Sequence, residues 1–263
     1  MKKTVLFFVL FAILIIVFAL SVQAQALRHQ WYCKHVKDHI QPSLDKRLEF
    51  IKEYDAYYVD NRHTDVNDTD KVIYLTFDAG YENGNVEKTL DILRDENVPA
   101  AFFILQNLIV KNPDVVKRMA DEGHTVCNHT ARHKDMSTWQ NDEVLAELQA
   151  LETLYSERIG GIMSKYYRPP EGVFSRENLA CLSQNGYKTV FWSFAYPDWD
   201  NNRQMTPEKA KKIILENFHN GEIMLLHPTS ETNVRILGDV IREARKQGYR
   251  FGTLDELIGV EAG

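Results

Sequence analysis

The chain has 263 residues, of which 44% are hydrophobic and 26% charged, and its net charge is −6. This composition excludes a disordered or low-complexity protein, and the length fits one large domain, with or without a small appendage, once an export segment is subtracted. Nucleic acid is not expected as a partner, because the sequence has neither an excess nor a stripe of basic residues.

The first 26 residues have the pattern of an export signal. Lys2 and Lys3 precede an apolar run from Val5 to Leu20, and small residues follow up to Ala26. A short positive region, an apolar stretch and a small-residue site are typical of a secretory signal peptide, but the run is also almost long enough to span a membrane. We therefore expect residues 1–26 to be a cleaved signal peptide or a retained membrane anchor. Both alternatives place the rest of the chain outside the cytoplasm.

Residues 27–70 differ in character from the remainder of the chain. They are polar, rich in Lys, His, Asp and Tyr, and only weakly periodic. We interpret them as an N-terminal extension that packs on a main domain, with Tyr54, Tyr57 and Tyr58 as its anchors.

From Lys71 onward the sequence alternates between strand and helix patterns. The apolar, β-branched run Val72–Phe77 is typical of a parallel strand that is buried on both faces, and a helical pattern follows from Val86 to Glu96. About seven such units predict a parallel α/β fold, either an open sheet or a closed barrel. The other predicted strands are Ala100–Ile104, Thr125–Asn128, Tyr166-Tyr167, Lys188–Ser193, Ile223–Leu226 and Arg250–Thr253, and the other predicted helices run from Pro113 to Gly123, Asp142 to Arg158, Arg176 to Asn185, Pro207 onward, and Val234 to Gln247.

Polar residues of unusual type follow these strands one after another. In a parallel α/β fold the loops that follow the strands open on one face, where active sites occur. Each residue taken alone has an ordinary structural explanation as a turn, cap or core residue, but together they predict an active site at that face. They are Asp78, His129 and His133, Arg168, Asp198 and Trp199, and His227.

His129 and His133 stand four residues apart in His-Thr-Ala-Arg-His. If this segment turns helically, both imidazoles project from one side and suit a single Zn²⁺ or similar ion. The spacing is equally compatible with structural loop histidines.

Five ordered motifs resemble those of the polysaccharide deacetylases (NodB-homology, carbohydrate esterase family 4). The resemblance covers residues 71–258 and implies a distorted (β/α)7 barrel. Within that family, Tyr81-Glu82-Asn83-Gly84 and Val190-Phe191-Trp192-Ser193 resemble the δ-lactam-forming N-acetylmuramic acid deacetylases of endospore formers. The five motifs are Thr76-Phe77-Asp78-x-Gly80, His129-Thr130-x-x-His133, Arg168-Pro169-Pro170-x-Gly172, Asp198-Trp199 and Leu225-Leu226-His227.

The resemblance implies a role for each motif. It implies that Asp78 is the general base and His227 the general acid of an amide hydrolysis. It further implies that Arg168 orients Asp78 and that Asp198 pairs with His227. His129 and His133 are implied to bind a divalent metal such as Zn²⁺. The residues implied to surround the substrate are Trp199, Leu225, Tyr81, Pro170 and Gly172.

One position departs from the family pattern. The usual first motif has a second aspartate that ligates the metal, and here that position is Ala79. A site with two histidines alone is expected to hold its metal more weakly.

The leading hypothesis is therefore an exported hydrolase that deacetylates N-acetylmuramic acid in peptidoglycan, in the maturation of spore cortex. A substrate with a lactyl carboxylate needs a donor nearby, for which Arg168 or Arg203 are candidates. The alternatives are an N-acetylglucosamine deacetylase of peptidoglycan or chitin-like oligomers, and a glycan-binding pseudoenzyme that has lost its metal through Ala79.

Overall fold

The structure is a computed structural model that describes residues 28–65 and 68–260. The predicted signal peptide or anchor, residues 1–26, lies outside the described residues. Within the described ranges, no helix is both long and apolar enough to cross a membrane.

The main structural element is a parallel sheet that curls into a distorted barrel. Strand β3 is central, because β4 pairs along one side of it while β9 and β10 share the other side. A parallel bridge between Phe194 and Met224 joins the segment after β8 to β9 and brings the sheet back on itself. The strands are β1 (His29–Gln30), β2 (Ala56–Tyr57), β3 (Lys71–Ala79), β4 (Ala101–Ile104), β5 (Thr125–Asn128), β6 (Tyr166–Tyr167), β7 (Val173–Phe174), β8 (Lys188–Val190), β9 (Glu222–Leu226) and β10 (Tyr249–Phe251).

Helices follow the strands and cover the outside of the sheet. Side-chain caps set several of their starts: Thr206 accepts a hydrogen bond from the backbone of Lys209, and Ser230 accepts one from Asn233. The helices are α1 (Val86–Glu96), α2 (Gln106–Lys111), α3 (Pro113–Asp121), α4 (Asn141–Arg158), α5 (Arg176–Gln184), α6 (Pro207–Asn217), α7 (Glu231–Lys246) and α8 (Leu254–Leu257), with 3₁₀ segments at Lys46–Glu53 and Pro170–Gly172.

The predicted (β/α)7 barrel is confirmed, with a few differences in element bounds. Helix α7 begins at Glu231 rather than at Val234 because Ser230 supplies the cap. Strand β8 ends at Val190, so residues 191–193 of the predicted strand lie beyond it. Helix α2 was not predicted, since its six residues are too few to show a helical period.

Alternation along β3 sorts its side chains between two apolar layers. Ile73, Leu75 and Phe77 pack in the outer layer with buried residues of the helices, whereas Val72 and Tyr74 pack in the inner layer with Phe103 of β4. The even-numbered positions of β3 therefore face the inside of the barrel. The same alternation continues at the end of the strand, where the site lies.

The N-terminal extension contributes strands to the fold. Strand β2 pairs in parallel with β8 at the edge of the main sheet, and β1 pairs antiparallel with β7. Trp31 and Tyr58 are buried in a third apolar cluster together with Phe191, which follows β8. The segment up to residue 60 is therefore built into the edge of the barrel.

Candidate active site

Asp78 lies at the carboxyl end of the central strand. The sequence placed it just after the strand, but the structure includes it in β3 as the penultimate residue. Its side chain shares the inner face with Thr76, and only 11% of it is exposed. Asp78 is thus a nearly buried carboxylate at the edge of the barrel where the strands end.

Arg168 is fully buried beside Asp78. Its Nη1 donates to Asp78 Oδ1 at 2.8 Å, and its Nη2 donates to Thr76 Oγ1 at 2.9 Å. The backbone carbonyls of Val190 and Phe191 accept its remaining hydrogen bonds, and the guanidinium lies 4.1 Å from the ring of Phe103. Four of its five N–H groups donate inside the protein, and its side chain has no exposed surface, so Arg168 cannot also reach a substrate carboxylate. The prediction that it might bind a lactyl group is wrong.

His129 and His133 lie next to Asp78, but in a different conformation from the one expected. The segment is a bend rather than a helical turn, since Thr130 and His133 have φ angles of 71° and 55°. Thr130 Oγ1 holds this bend by accepting a hydrogen bond from the His133 backbone N–H at 2.8 Å. The two imidazole rings nevertheless meet, with their centroids 5.0 Å apart.

The hydrogen bonds of His129 fix which ring nitrogen faces the site. Its Nδ1 lies 2.9 Å from the backbone carbonyl of Arg168, which can only accept, so Nδ1 carries the hydrogen. Its Nε2 is then the unprotonated nitrogen and lies 3.5 Å from Asp78 Oδ2. Burial lowers the pKa of His129 to about 4, which keeps the ring neutral near pH 7.

This arrangement fits an ion bound by two imidazoles. A carbonyl that orients the far nitrogen of a histidine is a common support for metal ligands, and imidazole suits Zn²⁺ and similar ions. Among the described residues, no cluster of three or more His, Cys, Asp or Glu side chains has the arrangement of a metal site. Ala79 is fully buried in the outer apolar layer and supplies no ligand.

His227 directly follows β9 and is held by Asp198. Its Nδ1 lies 2.7 Å from Asp198 Oδ1, and its backbone N–H donates to Asp198 Oδ2 at 2.8 Å. Asn233 Nδ2 donates to the same carboxylate at 2.6 Å, so the buried Asp198 is fully engaged. Nε2 is left as the ring nitrogen of His227 that can face a substrate.

The charges around Asp78 and His227 shift the pKa values of these two side chains in opposite directions. Burial by itself would raise the pKa of Asp78. His129, which is protonated only at the acidic pH where Asp78 titrates, and the cationic Arg168 and His227 outweigh burial and lower this pKa. Burial by itself would lower the pKa of His227, but the negative charges of Asp198 and Asp78 outweigh it and raise this pKa. The surroundings therefore favour the ionised form of the Asp78 carboxylate and the protonated form of the His227 imidazole.

A groove of about 820 Å³ opens over these residues. Tyr81, Trp199 and Leu225, which the resemblance assigns to the substrate, lie in its lining. Pro170 and Gly172, which the resemblance also assigns to the substrate, are buried and are not among the residues that line the groove. Sequence reasoning missed several residues that do line it, namely Gln30, Trp31, Leu105, Glu171, Trp192, Ala195, Tyr196 and Thr229.

Gly172 has a packing role at this wall. Its φ angle is +67°, and a Cβ added there would lie 2.9 Å from both Trp192 Cη2 and Trp31 Cβ. Only glycine fits this left-handed position between two indoles. The glycine of the motif thus allows Trp31 and Trp192 to close one side of the groove.

Known proteins share both this fold and this sequence. A family profile described as polysaccharide deacetylase matches residues 65–190. The peptidoglycan-N-acetylmuramic acid deacetylase PdaA of Bacillus subtilis is 38% identical over 242 residues, which are 90% of each chain. A peptidoglycan-N-acetylglucosamine deacetylase of Bacillus cereus is 31% identical over 190 residues, covering 71% of this chain and 68% of that protein.

Solved structures agree with these similarities. The structure of Bacillus subtilis PdaA, described as a family 4 carbohydrate esterase, matches with a TM-score of 0.82 and 37% sequence identity, over 88% of this chain and 97% of that one. Fold and site are those of a hydrolase that acts on polysaccharides. The chain belongs to the polysaccharide deacetylase family, carbohydrate esterase family 4, as its motifs predicted.

Proposed function

We propose that the protein removes the N-acetyl group from N-acetylmuramic acid in peptidoglycan, and that the product proceeds to muramic δ-lactam in spore cortex. The observation that carries this proposal is the similarity to PdaA over nine-tenths of both chains. The assembled site supports it, because Asp78, Arg168 and His227 lie together at the end of the barrel.

In the proposed reaction, Asp78 accepts a proton from the water whose oxygen attacks the acetyl carbonyl carbon. Arg168 keeps Asp78 ionised and fixes its direction through the 2.8 Å hydrogen bond. When the C–N bond breaks, His227 gives its proton to the departing amine. Acetate and a free amino group on the sugar are the products.

Two further groups of residues complete the site in this proposal. Trp199 and Leu225 enclose the acetyl methyl with apolar surface. His129 and His133 would hold a divalent ion such as Zn²⁺, which when bound polarises a carbonyl and lowers the pKa of water. Asp198 keeps His227 protonated and correctly turned through contacts at 2.7 and 2.8 Å.

We also propose that the protein works outside the cytoplasm. This rests on the signal-like residues 1–26 and on peptidoglycan as the substrate, and it leaves secretion and N-terminal anchoring as alternatives. The arrangement of Asp78, Arg168 and His227 disfavours a glycan-binding pseudoenzyme, because a site without catalysis has no need for a paired base and acid.

The proposed substrate is tested with three glycans offered in parallel: peptidoglycan strands that carry stem peptides, strands freed of them, and chitin oligomers. Mass spectrometry of the digested products locates each lost acetyl group on muramic acid or on glucosamine. Deacetylated muramic acid is the expected product. Acetate release from the chitin oligomers alone would contradict the muramic acid assignment and favour the N-acetylglucosamine alternative.

A further inference from the structure

The side chain of Asn233 joins Asp198 and His227, which we call the acid pair. Its Nδ2 donates to Asp198 Oδ2 at 2.6 Å and to the backbone carbonyl of His227 at 3.0 Å. The other oxygen of the carboxylate, Asp198 Oδ1, lies 2.7 Å from His227 Nδ1. Asn233 is only 1% exposed and is not among the residues that line the groove. It is therefore placed to act on the reaction through the acid pair and not by contact with a substrate.

The neighbours of Asn233 determine which end of its amide faces the acid pair. A carboxylate and a backbone carbonyl only accept hydrogen bonds, so the end that meets Asp198 and His227 is the NH₂ group. At the other end, the hydroxyl of Tyr196 donates to Asn233 Oδ1. The amide is thus held at both ends, and both hydrogens of its NH₂ group are engaged.

The start of helix α7 fixes the backbone of Asn233. Ser230 caps this helix, and its Oγ accepts a hydrogen bond from the Asn233 N–H at 3.1 Å. The Ser230 hydroxyl donates in turn to Gln204 Oε1, and Gln204 Nε2 donates to the Asp198 backbone carbonyl at 2.8 Å. Two amide side chains therefore join the Asp198 loop to the helix, because Gln204 holds the backbone of Asp198 and Asn233 holds its carboxylate.

A second helix shows that a start of this kind does not need the contacts that Asn233 makes. Ser175 caps helix α5 and accepts from the Asn178 N–H at 3.1 Å, so Asn178, like Asn233, is the third residue after the capping serine. Asn178 is also buried, yet within residues 28–65 and 68–260 its Nδ2 has no hydrogen-bond partner. The contacts of Asn233 with the acid pair are therefore separate from its place in the helix.

A donor to Asp198 changes how strongly this carboxylate acts on His227. Burial by itself would lower the pKa of His227; the charges of Asp198 and Asp78 outweigh it, and Arg168 acts in the same direction as burial. A hydrogen bond to a carboxylate stabilises its charged form and takes up part of its charge. The bond from Asn233 should therefore reduce the attraction between Asp198 and the imidazolium.

We propose that Asn233 is a positioning residue for the general acid: it holds the Asp198 carboxylate against His227 Nδ1 and takes up part of the carboxylate's charge. This inference rests on the proposed function, which assigns His227 as the acid of the amide hydrolysis. A general acid has to be protonated at the working pH and also has to release its proton to the departing amine. Asn233 serves both needs, because it keeps the ring correctly turned and prevents the pair from binding the proton too tightly.

The experiment replaces Asn233 by leucine, which has a similar volume and no donor, and by alanine, which also removes the donor but leaves space. NMR titration of isotope-labelled histidine measures the pKa of His227, whose signal is assigned by its loss in His227→Ala. Acetate release from glycan containing N-acetylmuramic acid gives kcat and KM against pH. Circular dichroism shows whether each variant is folded.

In both Asn233 variants the pKa of His227 should rise by about 0.5 to 1, because Asp198 then acts on the ring with its full charge. The alkaline limb of the kcat/KM profile should move to higher pH by the same amount. A less well-turned ring should lower kcat about tenfold, with KM changed by no more than a few-fold. Asn178→Leu is the matched control and should leave the pKa of His227 and kcat unchanged.

Four results would overturn the inference. They are a pKa of His227 that does not rise in either folded variant, a kcat within about twofold of that of the natural protein, equal changes in Asn178→Leu, and loss of the fold in both Asn233 variants. The proposed function fails in a different way. Acetate release from chitin oligomers alone would contradict the muramic acid assignment, and the same variants would then be compared on those oligomers. Full activity in His227→Ala would remove the acid itself, and the inference with it.

Discussion

Replacing Arg168 by methionine tests the electrostatic arrangement at the centre of the site. The side chain is fully buried and its guanidinium neutralises Asp78, of which only 11% is exposed. Methionine fills a similar volume and keeps the contact with Phe103, but it leaves the Asp78 carboxylate in the interior without its cation. Removing one partner of a buried ion pair typically lowers the free energy of unfolding by about 3–5 kcal/mol. That loss is a large part of the 5–15 kcal/mol that stabilises an ordinary domain.

The assay is chemical denaturation of the Arg168→Met protein, with a chelator present so that no bound ion replaces the missing charge. A double-mutant cycle with Asp78→Asn isolates the interaction between the two side chains. Since the second substitution removes the stranded charge, the double variant should be less destabilised than the sum of the two single variants, by about 1–3 kcal/mol. Arg235→Met is the control: its partner Glu231 lies on the surface of α7, so the expected loss is below about 1 kcal/mol. A loss of under about 1 kcal/mol for Arg168→Met, or simple additivity in the cycle, would refute the reasoning.

Two further predictions concern titrating groups. Asp198→Asn removes the carboxylate whose charge outweighs burial at His227, so the pKa of His227 should fall. The alkaline limb of the kcat/KM profile against pH should then move to lower pH. A limb that does not move would show that Asp198 does not set the pKa of the general acid. Burial raises the pKa of Glu222 well above its ordinary value. The folded protein therefore keeps a proton on Glu222 that the unfolded chain releases above pH ~4.5. Because the unfolded chain then binds fewer protons, the free energy of unfolding falls as the pH rises above that value. Glu222→Gln should remove this loss. In denaturation series from pH 5 to 8, the free energy of unfolding of the variant minus that of the natural protein should grow by up to about 1.4 kcal/mol per pH unit. If this difference does not vary with pH, Glu222 is ionised in the folded state.

Much of the barrel could be predicted from the sequence because its buried strands and capped helices carry strong local patterns. The apolar run from Val72 to Phe77 predicted β3, and Thr206 followed by Pro207 predicted the start of α6. The two-residue strands β1 and β2 were not predicted, because they lie outside the strand–helix alternation and depend on pairing with residues far along the chain. The equally short β6 was predicted because it falls within that alternation.

The catalytic side chains could be placed on one face, but the walls of the groove could not. Trp31 reaches Trp192 across 161 residues of sequence, where its indole N–H donates to the Trp192 carbonyl at 2.9 Å. Nothing local in the sequence indicates such a contact. The bend between His129 and His133 was also missed, because it depends on a left-handed backbone at Thr130, a residue type that rarely adopts it.

Ala79 shows how strand alternation decides the environment of a single residue. The family pattern suggested that an aspartate at this position would restore a metal ligand. The structure places Ala79 on the outer face of β3, fully buried among apolar side chains. A carboxylate introduced there would have to be desolvated, so a gain in metal affinity would come with a loss of stability.

The most direct measurement of the central claim is the rate of acetate release from N-acetylmuramic acid-containing glycan by the natural protein and by Asp78→Asn and His227→Ala. Circular dichroism of each variant shows whether its fold is retained. If Asp78 is the base and His227 the acid, each folded variant should lose about 10²- to 10⁴-fold in kcat. Turnover within a few-fold of the natural protein, in either folded variant, would contradict the account.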